Sequence, residues 1–160
     1  MRNSIITLAA AALIALPVAV SGQSTTAQIQ ALAEVLSPID VQAGVNLDFG
    51  QVLPGVPSQV LPVSGGTFTV SGAADEDVIV DFDLPLVLVD GALSMPVSFD
   101  AGYGAGAPTT ALDPSADVTV DLGATGGWDV FLGGTVTPAP DQGAGDYAGT
   151  VTLTVTYVGS

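Results

Sequence analysis

The side chains able to do chemistry in this sequence are almost all carboxylates. Sixteen Asp and Glu residues run from Glu34 to Asp146, the only basic residue is Arg2, and there is no His and no Cys. The densest cluster is Asp75-Glu76-Asp77, continued by Asp81 and Asp83, with Asp117 and Asp121 as a second outward pair. Calcium takes several oxygen ligands of this kind, which makes Asp75, Glu76 and Asp77 the candidate ligands for weak calcium binding. The sequence has no Asp-x-Asp-x-Asp-Gly loop closed by a Glu. A solvated acidic face that keeps sheet edges from pairing accounts for the same residues more simply. No other cofactor is expected.

Catalysis is not expected either. Beyond Arg2 there is no imidazole base, no thiol, no amine and no guanidinium clamp, which leaves carboxylates, hydroxyls and backbone groups. Two carboxylates can hydrolyse a glycoside, but here the aspartates alternate with apolar residues along regular segments, where a wetted surface explains them. The run Gly102-Tyr103-Gly104-Ala105-Gly106 has neither the lysine nor the following helical pattern of a phosphate cradle, and reads as part of a long loop over 102–114.

The charge balance excludes some partners. The formal charge is −15, and the carboxylates alone carry −16 if the segment holding Arg2 is removed. Affinity for phosphate backbones rests on Lys and Arg, so nucleic acid is excluded. Each carboxylate must face water, accept backbone N–H bonds or meet a cation. Copies of such a chain repel one another in dilute buffer. The repulsion fades with salt, because the Debye length falls to about 3 Å at 1 M.

The elements that position these residues begin after an export signal. Arg2 precedes an apolar run over 5–20, interrupted by Pro17 and followed by the small residues Ser21 and Gly22. Charge, apolar core and small residues in that order make a secretory signal peptide over 1–22, and the run is too short for the ~20 residues of a spanning helix. The expected location is outside the cytoplasm, whether extracellular, on the cell surface or in the periplasm. No stable membrane insertion is expected after cleavage.

The rest reads as one all-β domain over 37–160. Glycine (20) and proline (11) punctuate the chain, and between them apolar residues recur with period two. Val151, Leu153, Val155 and Tyr157 share one face of a strand whose other face is threonine. Phe68 and Val70, then Val78, Val80, Phe82 and Leu84, repeat the pattern. So do Met95, Val97 and Phe99, then Val118, Val120 and Leu122, then Trp128, Val130 and Leu132. Shorter candidates lie at 47–53 and 86–89. Many short strands between Gly/Pro turns predict a two-sheet β-sandwich, immunoglobulin-like or fimbrial-like. Phe49, Phe68, Phe82, Phe99, Trp128 and Tyr157 fall on the inner face, leaving Phe131, Tyr103 and Tyr147 for the surface.

Between signal and domain lies an extension over 23–36. Ala27, Ile29, Ala31, Ala33 and Val35 alternate as in a strand, yet Ile29, Leu32, Ala33 and Leu36 also fit one face of a helix that Pro38 would end. The segment is therefore strand or short helix. As a strand it can add to a neighbour's sheet, with Ile29, Ala31, Ala33 and Val35 as the inserted side chains. The other assignment makes it the domain's own first strand or an edge helix.

Several motifs in order carry a family resemblance. They are Leu47-Asp48-Phe49-Gly50, then Gly66-Thr67-Phe68-Thr69-Val70-Ser71-Gly72, Val80-Asp81-Phe82-Asp83-Leu84-Pro85 and Met95-Pro96-Val97-Ser98-Phe99. Leu132-Gly133-Gly134-Thr135-Val136 follows, and finally Gly145-Asp146-Tyr147-Ala148-Gly149 running into the last alternating strand. This order resembles the bacterial exported family called domain of unknown function 4402. The C-terminal strand is also similar to pilin-like and spore-coat-like secreted sandwiches. The resemblance implies an exported, surface-displayed sandwich without established catalytic residues. The expected function is a structural or surface subunit that assembles with copies of itself or with another surface protein, in a pilus-like manner by strand addition. The alternative is a monomeric extracellular module that binds a glycan or a divalent cation.

Overall fold

The computed structural model describes residues 25–159. The signal peptide expected over 1–22 lies outside them. The chain divides into two units, Met1–Ala33 and Glu34–Ser160. In the first, residues 25–33 form neither helix nor strand, and the same holds for 34–39 at the start of the second. Over 25–36 neither of the regular elements that the two periodicities allow is formed. A strand needs a ladder partner, and a helix of one or two turns is too short to hold itself together in water.

The second unit is all-β. Ten strands form in chain order: β1 Asp40–Ala43, β2 Ser58–Val60, β3 Gly66–Ser71, β4 Asp77–Asp83, β5 Val87–Asp90, β6 Leu93–Gly104, β7 Thr110–Leu112, β8 Val118–Asp121, β9 Gly127–Val136 and β10 Thr152–Tyr157. The large sheet has seven strands in the order β1-β3-β9-β6-β5, with β2 on the end of β9 and β7 on the end of β6; the small sheet is β10-β4-β8. Every pairing is antiparallel. The two sheets make a β-sandwich.

The core sits where the period-two pattern puts it. Val78 and Val80 of β4, Val120 of β8, and Leu153 and Val155 of β10 meet Val70, Ala101, Leu112, Trp128, Val130 and Leu132 of the large sheet. On the outer face of the small sheet the register sets Thr152 against Asp83 and Thr154 against Asp81, all four exposed. Alternation therefore separates apolar from wetted side chains residue by residue.

Three sequence expectations change. Phe131 is buried, at 8% exposure, rather than on the surface. Its cross-strand neighbours are Thr67 and Gly102, and the 3₁₀ turn Pro62–Ser64 packs over this side of β9, so β9 is covered on both faces. Tyr103 belongs to the core, its ring 5.3 Å from that of Trp128 and inclined at 52°. The expected long loop over 102–114 is strand at 102–104 and 110–112, because β6 runs on to Gly104 and β7 returns beside it. A Cβ at Gly102 would stand 2.9 Å from the Thr110 carbonyl oxygen, so glycine permits the close approach that made this stretch look like a loop.

Tyr157 fastens the end of β10. Its hydroxyl donates to the Ser37 carbonyl at 2.6 Å and accepts from the Ala73 N–H at 2.6 Å. Tyr157→Phe removes both bonds while keeping the ring, and should lower stability by about 1–2 kcal/mol in urea titration. An unchanged midpoint would show that water replaces both bonds without cost.

Candidate functional site

The site grows out of the place where the β1 ladder stops. Beyond Ala43 the pairing with β3 continues through Gly44 N–H to Thr67 O at 2.8 Å and Thr67 N–H to Val45 O at 2.9 Å. The Val45 N–H then goes to the Thr67 hydroxyl, also at 2.9 Å, and the chain leaves the sheet. Asp48 accepts the Gly50 N–H at 2.8 Å, an Asx-type turn with Gly50 at φ 65°. Leu47 packs against the core, and the Phe49 ring reaches Gly134 of β9, where an added Cβ would stand 3.4 Å from its Cζ. The segment 47–53 has the alternation of a strand but no ladder partner, so it is not one.

A second segment faces it. Gln142 donates to the Tyr147 hydroxyl at 2.6 Å and to the Ser94 carbonyl at 3.2 Å, and the Tyr147 hydroxyl donates to the Gly143 carbonyl at 2.7 Å. Ala148 and Val89 exchange two main-chain bonds of 2.8 and 3.0 Å. These contacts hold 142–148 against β5 and the first part of β6, after which 149–151 leads into β10.

Between the two segments lies a groove of about 960 Å³. Phe68, Leu88, Met95 and Leu132 line it. Leu88 lies opposite Met95 in the β5–β6 register, so both share one face of the sheet. The groove floor is therefore the inner face of the large sheet, beyond the reach of the three-stranded one. Val45 and Leu53 on the wall are 67% and 69% exposed.

The walls are unusual in their main chain. Among the described residues, 46–52 makes a single main-chain hydrogen bond, the Asp48–Gly50 turn, and 149–151 makes none. Both walls offer the unpaired donors and acceptors of a sheet edge. Asp48 and Asp146 also line the groove.

The sequence-predicted site residues lie elsewhere. Asp75 and Glu76 lie in the β3–β4 turn and Asp77 opens β4, with Asp75 at φ 58° and its N–H on the Gly123 carbonyl at 2.9 Å. Asp77 stands opposite Asp121 in register, a like-charge pairing that weakens the sheet. Among the described residues, no three His, Cys, Asp or Glu come together in a group able to hold a metal ion. Ile29 and Val35 are 96% and 93% exposed, and Ala31 and Ala33 are exposed as well.

Elsewhere Asp129 and Asp113 are held by hydrogen bonds. Asp129 accepts from the Thr69 hydroxyl at 2.8 Å and the Gly106 N–H at 3.1 Å. Asp113 accepts from the Ser115 hydroxyl and N–H at 2.7 and 2.9 Å, and these bonds, the hydroxyl's first, hold its carboxyl below the ordinary range. The support this gives the fold is present at neutral pH. It is lost as pH falls through the lowered value.

Sequence reasoning missed Leu88, Gln142 and Tyr147 as parts of one site. The only local sign was the alternation Leu47, Phe49, Leu53, which marks an apolar face without saying what covers it. Residues 56–157, more than half of the chain, match the family described as Domain of unknown function (DUF4402). That span includes the 142–151 wall and leaves out the 45–54 wall. No curated protein matches the chain.

Proposed function

We propose that this chain, which belongs to the DUF4402 family, is an exported, non-catalytic structural or surface subunit whose copies associate by β-strand addition. The observation that carries this reading is the groove: an apolar floor between two walls that each contain a stretch, 46–52 and 149–151, without ladder partners. An extended segment laid there pairs with a wall through its backbone and buries alternate side chains on the floor, which is how strand addition combines affinity with selectivity. The acidic surface sets the conditions. With no Lys, Arg or His after Arg2, copies approach only where salt screens their carboxylates.

Light scattering and negative-stain imaging test this at low salt and at about 1 M salt, where the Debye length is near 3 Å. The expected result is monomer at low salt and ordered filaments once charge is screened. A monomer under both conditions overturns the proposal.

A further inference from the structure

We infer that the strand received by the groove is the 27–35 segment of a second copy of this chain. The inference rests on the strand-addition reading above and names its partner. Stretches 46–52 and 149–151 of the groove walls leave main-chain donors and acceptors without ladder partners, and Phe68 and Leu88, half-buried on the floor, leave apolar surface uncovered. The 27–35 segment supplies a matching face. Ala27, Ile29, Ala31, Ala33 and Val35 fall on one side of an extended chain. It belongs to neither sheet, and Ile29, Leu32 and Val35 are the most exposed large apolar side chains in the described structure, at 96%, 87% and 93%.

Charge and symmetry point the same way. From Asn3 to Ala33 the chain carries no charged side chain, so this segment enters a groove lined by Asp48 and Asp146 without adding a carboxylate until Glu34. Every copy carries both the segment and the groove. An interface between two different patches of identical chains is heterologous, and it propagates into a filament unless its rotation closes a ring.

The absence of cysteine allows a direct test. Ile29→Cys, Ala31→Cys and Ala33→Cys are each mixed with Thr150→Cys, an exposed groove-wall position, under high-salt, mildly oxidising conditions. At least one mixture should give a disulfide-linked heterodimer well above the yield with Thr119→Cys, which lies on the outer face of β8. Ile29→Asp should abolish assembly and leave the melting temperature of the monomer unchanged.

Wild-type filaments with no cross-link above the Thr119→Cys control overturn the 27–35 assignment and leave self-association standing. Assembly of Ile29→Asp at the wild-type level overturns it too. Absence of both filaments and cross-links removes the inference together with the reading beneath it.

Discussion

Replacing Trp128 with alanine should destabilise the domain by about 3–5 kcal/mol, the largest loss expected of any single substitution here. Trp128 is 8% exposed and packs within the core. Its indole N–H donates to the Asp121 carbonyl at 3.0 Å, which joins β9 of the large sheet to β8 of the small one. Alanine therefore leaves a cavity between the sheets and strands a carbonyl at its margin. Trp128→Phe keeps most of the packing and loses the bond, with an expected cost nearer 1–2 kcal/mol. Urea titration followed by circular dichroism measures both. The comparison does not depend on the fluorescence of the chain's single tryptophan, which the variants lack. A loss below about 1 kcal/mol for the alanine variant would mean that the sheets close over the gap.

Gly133→Val should be strongly damaging, at about 1–3 kcal/mol. Gly133 lies in the buried middle of β9, where an added Cβ would stand 2.5 Å from both the Pro62 nitrogen and the Val60 carbonyl oxygen. These are backbone atoms and cannot swing away as a side-chain tip would. The β2 strand or the Pro62–Ser64 turn has to lift. Gly133→Ala should show the same effect in smaller measure, with loss of protection from hydrogen exchange at β2. A neutral Gly133→Ala would show that the covering turn yields freely.

The strands that share an alternating pattern with a threonine or aspartate face were legible because that pattern is local. Val78 and Val80 point inward, and Asp77 and Asp81 outward, for reasons contained in seven consecutive residues. Phe131 was not legible. Its burial depends on a turn about seventy positions earlier in the chain that covers the second face of β9. The segment 102–104 misled in the opposite sense, since glycine usually punctuates a strand and here admits a neighbouring one.

The groove lay further out of reach. Its walls, at 45–54 and 142–151, are separated by most of the domain, and what makes them a candidate site is a missing ladder. Alternation at Leu47, Phe49 and Leu53 shows which side chains seek cover. It carries no information about whether a partner strand arrives.

The pairing of β10 with β4 bears on how the domain is made. The register joins Thr152 to Asp83 and Tyr157 to Val78, spans of about seventy to eighty positions, whereas β5 and β6 close a two-residue hairpin. Closing the long loop costs chain entropy before any contact repays it, so sheets built from distant segments reach the native state in milliseconds to seconds rather than microseconds. A chain threaded through a membrane from its N-terminus cannot complete the small sheet until β10 has emerged. If the chain is exported as proposed, it crosses without a finished sandwich to obstruct it, and the small sheet closes on the far side.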